Sequence, residues 1–476
     1  MQKLKLIVLL EGLTPAELRR LGDFVRSPFY NKNKNLVLLY EFFERSFSES
    51  DRENISKEKI WENLCPDKQY DDSNLRSVFS EFKKLCETFL VVIHQEKNPL
   101  SQKNILLNAF SEKNLSKNFE LISKDISKTF NEEFNRNYEY YLNSIEFERA
   151  HITIGGKNIE KNLDENFIRL SDSIDNFFLS AKLDLFNSLL SRKYHVLGNL
   201  TLKIKFIDEI ITHIEGNLSE IIKNHPVIYS EYLILKMMTA KESEKYFKDL
   251  HAFVLKNISK YKQTELEQVY FPLINYGFNK LALGENKYLE KIFEIYRTFE
   301  RKNFYGEMKV FQDIDFISIA IAGLRLNKIL WVESFSNKYN YKLSAEYKED
   351  SKNLVNALIS HKKRDFEKAI NFLSTVNYQN SYYYLKAKET LMQIYYEQKE
   401  FEALQSLIDS TRHYLKRRQN ILSIHYERYM MFLKYINILL NAKENNNYKK
   451  LVLKKELSEN KNVIAREWLL EKMKDL

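Results

Sequence analysis

Apolar residues recur at every third or fourth position along most of the chain, and this spacing places them on one face of an α-helix. The clearest stretch lies between residues 354 and 416, where the pattern predicts two consecutive helical hairpins. In the first hairpin, Leu354 and Leu358 mark the face of the outgoing helix, and Ile370 and Leu373 mark that of the returning helix. The pattern therefore predicts a chain of antiparallel helical hairpins.

The second hairpin repeats this arrangement. Leu391 and Tyr395 lie on one face of its outgoing helix, and Leu404 belongs to the apolar stripe of its returning helix. Phe366 and Phe401 open the two returning helices and stand 35 positions apart, close to the period of ~34 residues in tetratricopeptide arrays. The region resembles tetratricopeptide repeats, although neither unit has the Trp, Gly or Pro of that pattern. Ordinary antiparallel hairpins, whose turns also carry acidic and aromatic residues, are the alternative.

Weaker copies of the returning helix occur upstream, at 287–292 and 327–331. Their uneven spacing suits a helical solenoid, because each hairpin packs only on its neighbours. We expect an all-α protein: an α-solenoid of tetratricopeptide-like hairpins with an N-terminal helical cap domain. The expected regions are an N-terminal helical module at 1–98, an irregular array of helical hairpins at 99–270, and tetratricopeptide-like repeats at 271–476 that end in a capping helix around Trp468.

The scarcity of turn-forming residues supports this fold class. The chain has 10 Gly and 6 Pro among 476 residues, whereas average usage of the two together is roughly 12%. Sheets and sandwiches need these residues at their turns. Long helices joined by short polar connections are therefore favoured over any β architecture.

The N-terminal module opens with a capping box at 14–17, where the Thr14 hydroxyl and the Glu17 carboxylate can cap the first turn of a helix. Farther on, segments 55–67 and 75–85 are similar to the helical half of the winged-helix domain in bacterial transcriptional activators. That resemblance implies a DNA-contacting helix at 75–85. Two departures weaken it, because Cys65 replaces the Trp of that pattern and no two-stranded wing is predicted after residue 89.

A second resemblance rests on the start and the end of the chain. The segment Ser27–Asn31, the pair Arg19 and Arg20, and the C-terminal helix look like a family of bacterial helical proteins. This resemblance brings no activity with it.

Charge and cysteine content point to the compartment. The formal net charge is +9, but the lysines are scattered among acidic residues, which is typical of a solvated surface and not of a nucleic-acid face. Cys65 and Cys86 form no metal-binding pattern and fit a reducing cytoplasm. The N-terminal apolar run is only Leu6–Leu10, too short for a signal peptide, and no stretch is long enough to span a bilayer. We expect a cytoplasmic protein without membrane contact, and the oligomeric state stays open.

No catalytic pattern stands out. None of the nine His forms an HxxxH motif with a neighbouring Glu. Gly155-Gly156-Lys157 fails as a phosphate-binding loop, because His151 and Asn158 stand where that motif needs Gly and Ser or Thr. We expect an inter-helix turn there, and we expect no enzymatic activity, no cofactor and no metal.

The fold class thus predicts a non-enzymatic scaffold or adaptor that binds a protein or peptide in the groove of the helical repeats. The candidate contacts are Tyr383, Lys386, Tyr395 and Arg412.

The alternative is a nucleic-acid-binding transcriptional regulator that uses residues 56–89, with Arg76, Lys83 and Lys84 as contacts. The basic turn at 31–34 and residues 416–418 would then be auxiliary contacts. A clustered basic face would favour the regulator, and an uncharged aromatic groove would favour the scaffold.

Overall fold

The computed structural model describes residues 5–48, 56–158, 163–195, 204–308, 310–376, 381–418, 423–440, 454–460 and 463–474. Within these ranges the regular structure is helical and no strand occurs; Phe311 and Leu343 form an isolated bridge. The all-α prediction is confirmed. The chain divides into two compact units, one made of 1–133 with 140–174 and one made of 134–139 with 175–476. The sequence-based division at 98 and 270 stays a prediction.

In its described residues the first unit has nine helices or parts of helices, which enclose two apolar clusters. The larger cluster comes from residues 6–93, with Leu21, Phe82 and Cys86 fully buried; the smaller one comes from residues 107–154. The helices are α1 (Lys5–Glu11), α2 (Pro15–Arg26), α3 (Lys34–Ser48), α4 (Lys57–Leu64), α5 (Asp72–Glu96), α6 (Pro99–Glu112), α7 (Ser116–Glu132), α8 (Tyr138–Asn158) and α9 (Leu163–His195), the last two extending into the second unit.

Two local predictions in this unit have opposite outcomes. The capping box is present: the Glu17 amide donates to the Thr14 hydroxyl at 3.2 Å, and the Thr14 amide donates to the Glu17 carboxylate at 3.0 Å. The turn predicted at 155–157 is wrong, because the backbone of α8 stays helical through Asn158. The helix continues there although two glycines within a helix cost stability.

The second unit consists mainly of helices paired with the next helix along the chain. The pairs α12–α13, α14–α15, α17–α18, α19–α20 and α21–α22 pack side by side, and the outgoing helices α17, α19 and α21 pack on one another in sequence. Its helices are α10 (Ile207–Gly216), α11 (Leu218–Asn224), α12 (Pro226–Thr239), α13 (Ser243–Asn257), α14 (Gln263–Ala282), α15 (Lys287–Arg301), α16 (Phe304–Glu307), α17 (Asp313–Arg325), α18 (Ile329–Tyr339), α19 (Lys348–Lys362), α20 (Phe366–Ser374), α21 (Ser381–Gln398), α22 (Phe401–Arg417), α23 (Ser423–Leu440), α24 (454–459) and α25 (Arg466–Lys472), with 3₁₀ turns at Ile258–Lys260 and Asn340–Lys342.

The same turn closes four of these hairpins. One residue after the outgoing helix takes a left-handed backbone conformation: Gly284, Asn327, Arg364 or Lys399, with φ of 83°, 58°, 63° and 66°. The next amide then donates to the carbonyl five residues back, as Asp365 does to Ser360 at 2.9 Å. This is the Schellman ending, which usually uses Gly. The sequence hides the repeat because Asn, Arg and Lys stand at three of the four positions.

Glycine also allows close helix contacts within the array. A Cβ at Gly323 in α17 would lie 2.5 Å from Val332 in α18 and 3.3 Å from the Phe293 ring in α15. A Cβ at Gly277 in α14 would lie 2.7 Å from Ile292 in α15. The small residue expected where two repeat helices cross is thus present in the upstream hairpins, outside the two units that the sequence pattern marks best.

Candidate functional site

A polar stripe runs along helix α21 and is covered by other helices. Its members are Lys386, Glu389, Gln393 and Glu397, spaced three or four residues apart, so that they share one side of the helix. Such a stripe usually faces water. Here Glu389 and Gln393 are buried, and Glu397 is only 12% exposed. Buried charges need partners, and those partners define the candidate site.

Tyr383 lies at the start of this helix and is fully buried. Its hydroxyl donates to the Asp313 carboxylate of α17, and it lies 2.9 Å from the Ser351 hydroxyl of α19. Burial and the neighbouring carboxylate raise the pKa of Tyr383. The side chain therefore joins three successive hairpins. Its position does not favour the direct partner contact that the sequence predicts.

Lys386 is likewise engaged inside the protein. Its ammonium lies 2.7 Å from the carboxylate of buried Glu389 one turn later. Tyr429 of α23 donates to the other oxygen of that carboxylate over 3.5 Å. Lys386 thus neutralises a buried acid, and this role explains a lysine on an inward-facing side.

Glu397 is the centre of the site. Its carboxylate accepts hydrogen bonds from the Arg364 guanidinium (2.8 Å), the Trp468 indole (3.0 Å) and the Lys472 ammonium (3.1 Å). Burial raises the pKa of Glu397, but the three donors outweigh this effect and lower it to about 2. Burial lowers the pKa of nearby His361 to about 4, so at neutral pH this ring adds no charge.

Trp468 and Lys472 belong to α25, which packs against α23 and also contacts the ends of α17 and α21. Glu467 pairs with Arg325 at the end of α17 over 3.2 Å, and the Trp468 ring meets the Tyr396 ring edge to face at 5.4 Å. We call the surface formed by Arg325, Arg364, Tyr396 and Glu397 the turn-edge site. The helix predicted to cap the end of the repeats therefore also reaches back to Arg325 at the end of α17.

Few apolar side chains hold α25. Leu469 and Met473 are buried, and each contributes about 1.5–3 kcal/mol. Two of the hydrogen bonds at Glu397, those from Trp468 and Lys472, come from α25 and add about 1.5–3 kcal/mol each. Ordering the seven residues of the helix costs roughly 1–2 kcal/mol per residue. These opposing contributions nearly balance, so the docking of α25 is marginal and depends on the charged anchor.

The other two predicted contacts lie elsewhere. Tyr395 is half-buried and stands nine residues after Lys386 on α21, which places the two on opposite sides of the helix. Arg412 on α22 is half-buried and pairs with Asp409 at 2.7 Å. The four predicted residues do not form one groove, and sequence reasoning missed Arg364, Glu397 and Lys472 and named Trp468 only for the capping helix. The i, i+4 spacing of Trp468 and Lys472 was the available signal.

The residues of the nucleic-acid alternative lie on α5. Arg76 is 72% exposed but pairs with Asp72 at 2.6 Å, and Lys83 pairs with Glu87 at 3.0 Å. Lys84 is exposed and lies about a quarter turn from Lys83. Adjacent carboxylates thus offset the positive charge of this face.

A shallow groove also opens in the first unit, between the α1–α2 turn and the end of α5. Its volume is about 650 Å³, and it is lined by apolar Leu13, Leu90 and Val91 with Glu17 and Lys97 at its rim. Its apolar floor could hold an aliphatic or aromatic side chain.

Within the described ranges, no group of three or more His, Cys, Asp and Glu is placed to hold a metal ion. In the same part of the chain, no helix is long and apolar enough to cross a membrane. The chain matches no family model, no curated protein and no solved structure in the three comparisons made.

Proposed function

We propose that this chain is a non-enzymatic scaffold: a tetratricopeptide-like α-solenoid that binds a protein partner along its hairpin array. The observation that carries the proposal is the turn-edge site. There, the ends of α17 and α21 contact an amphipathic helix through Arg325, the buried carboxylate of Glu397 and the ring of Tyr396. Recognition of an amphipathic helix by an apolar groove with polar anchors is a common mode of protein binding.

The repeated hairpin turns support the solenoid arrangement. Left-handed residues at 284, 327, 364 and 399 close hairpins that pack on their neighbours in chain order. The last interval, 35 residues, is close to the tetratricopeptide period. In a solenoid the repeats present neighbouring positions along one edge, and the turn-edge site takes its residues from the ends of α17, α19 and α21.

Affinity capture from a cell extract tests the proposal. The tagged full chain is compared with a Tyr395→Ala/Arg412→Ala variant and with an Arg76→Ala/Lys83→Ala/Lys84→Ala variant, each with and without nuclease treatment. We expect a protein retained after nuclease treatment that is lost, or recovered at less than about one tenth, when the array is changed. Capture that needs nucleic acid and the three basic residues of α5 would contradict the scaffold function.

The nucleic-acid alternative makes a separate prediction. Phosphate contacts by Arg and Lys give a steep loss of affinity with salt. The pairing of Arg76 with Asp72 and of Lys83 with Glu87 does not favour such contacts. A gel-shift assay that shows tight, salt-sensitive binding abolished by Arg76→Ala and Lys84→Ala would replace the scaffold with the regulator.

A further inference from the structure

The segment at the turn-edge site is bound like a ligand. It comprises residues 463–474, which we call the tail helix segment. Its polar anchor is the Glu397 carboxylate, which belongs to the array and is buried beneath the segment. The donors Trp468 and Lys472 belong to the segment. A helix that completes a core is held mainly by apolar burial. In the tail helix segment three apolar residues are buried, Val463, Leu469 and Met473, and the two donors add a polar anchor to this burial.

We propose that the turn-edge site is a docking surface for an amphipathic helix of a partner protein, and that the tail helix segment is its intramolecular occupant. The inference rests on the proposed scaffold function and names the surface and the kind of partner. A partner binds by displacing the segment, so the chain is self-occluded until a competing helix arrives.

The contacts of the segment specify the partner. Glu397 selects a donor that can reach a buried carboxylate, which an indole and an ammonium one helical turn apart both do. Tyr396 selects an aromatic ring at the first of these positions. Arg325 selects an acidic residue just before that ring. We therefore expect a partner helix with an acidic residue, then Trp, then an aliphatic residue, and Lys four positions after the Trp.

Tethering explains how the occupant can be weak and still occlude the site. A segment linked to its own site acts at an effective concentration on the order of millimolar. A separate helix with the same contacts and the same affinity is therefore outcompeted until its concentration exceeds that value. A helix that binds the site more tightly displaces the segment at a lower concentration. Removing the anchors of the segment should free the site without altering it.

The test measures binding of a fluorescein-labelled synthetic peptide of residues 463–474 to the full chain by fluorescence polarisation. We expect the full-length Trp468→Ala/Lys472→Ala variant to bind the peptide at least ~10-fold more tightly than the wild-type chain. Adding Glu397→Gln to that variant should weaken binding ~10-fold or more. The matched control is Glu402→Gln, an exposed acid in the first turn of α22, which should leave binding unchanged. Equal binding to all variants, or no binding to the freed chain with an intact circular dichroism spectrum, overturns the proposal.

A second measurement needs no variant. Excess unlabelled peptide is added to the wild-type chain, and hydrogen exchange is followed for the tail helix segment of the chain itself. Displacement should increase exchange at 463–474 and leave 5–48 unchanged. Unchanged exchange at saturating peptide overturns the proposal, whatever the variants do.

The outcomes separate this inference from the scaffold function. If the peptide fails in both assays while a nuclease-resistant partner still needs Tyr395 and Arg412, the scaffold stands and the turn-edge site is structural. If the segment instead docks on a second copy, wild-type chains form dimers that Trp468→Ala abolishes. That result would overturn the partner proposal in favour of self-assembly.

Discussion

Helices α1–α5 are held together mainly by apolar contacts, whereas buried charged side chains take part in the contacts of helices α17–α25. In α1–α5, fully buried Leu21 and Phe82 belong to one apolar cluster, and the ion pair of Arg20 with Glu96 lies at the surface with both side chains about half exposed. In α17–α25, charged side chains such as Glu389 and Glu397 lie inside the contacts between helices.

This contrast separates a permanent contact from one suited to exchange. Apolar burial has no single anchor, so it is lost only when the whole cluster opens. A contact made through a buried carboxylate can be broken by removing one of its donors. The carboxylate then stays buried without a partner, which favours binding of a new donor with the same chemistry. Apolar burial therefore suits a stable module, and the buried carboxylate suits a binding surface.

The largest effect is expected in the apolar region. Phe82→Ala should destabilise α1–α5 by about 3–5 kcal/mol, because a fully buried ring is replaced by a cavity. Hydrogen exchange by mass spectrometry should show loss of protection throughout 56–96. Ser80 is an exposed neighbour on the same helix, and Ser80→Ala should change the free energy of unfolding by less than about 0.5 kcal/mol. A small effect of Phe82→Ala would contradict the claim that apolar burial stabilises α1–α5.

The next effect belongs to the polar region. Glu397→Gln should weaken the docking of α25 by about 2–3 kcal/mol, since it removes the charge that Arg364, Trp468 and Lys472 share. Hydrogen exchange should increase at 463–474 and stay unchanged at 56–96. Glu402→Gln provides the exposed control. If the tail helix segment keeps its protection, its docking is apolar and resembles that of α1–α5.

The same carboxylate predicts a pH dependence. The pKa of Glu397 is lowered to about 2 from its ordinary value of 4.5, so its stabilising effect is complete above about pH 4.5 and is lost as the pH falls toward 2. About 1–2 kcal/mol should be lost by about pH 3.5. Measured by exchange of 463–474 between pH 7 and 3, the loss should be absent in Glu397→Gln. An equal loss in that variant would assign the transition to other acids.

The sequence predicts the helices well and the burial of polar residues poorly. Periodicity marks the hairpins α19–α20 and α21–α22, and the capping box at Thr14 is formed as expected. The sequence predicts Tyr383 and Lys386 as contacts in a groove, whereas both side chains have partners inside the protein. Their partners, half-buried Asp313 and buried Glu389, lie on a distant helix and on the next turn. Pairing across 70 residues leaves no local pattern in a single sequence.

The hairpin turns show a second limit. Gly at a helix end predicts the left-handed Schellman turn, but Arg364 and Lys399 take the same conformation. The chain accepts the steric cost there, because packing of the two helices fixes the turn. Residue type alone therefore identifies only the turn at Gly284.

Close backbone contact occurs in both regions, since a Cβ at Gly22 in α2 would lie 2.6 Å from Tyr40 in α3, and a glycine substitution in α17 measures its cost in the array. Gly323→Ala should cost about 1 kcal/mol, because its Cβ would come within 2.5 Å of Val332 and overpacking outweighs the gain in helix propensity. Gly216→Ala in α10, where nothing lies within 4 Å of the added Cβ, should be neutral or stabilising. Thermal unfolding of both variants provides the measurement. A stabilised Gly323→Ala would mean that α17 and α18 can separate without cost.

The smallest expected effect concerns the turns. Among the described residues of 5–96 no non-glycine residue has a positive φ, whereas Lys399 has φ of 66° in the array. The left-handed region costs an ordinary residue roughly 1–2 kcal/mol, and Gly recovers most of this while losing more chain entropy. Lys399→Gly should therefore raise the stability of the α21–α22 hairpin by about 0.5–1 kcal/mol, measured as reduced exchange at 381–418. Asn327→Gly is the matched control and should gain less, because Asn tolerates this conformation. If Lys399→Gly destabilises the hairpin, chain entropy outweighs strain at this turn, and the array is no more strained than α1–α5.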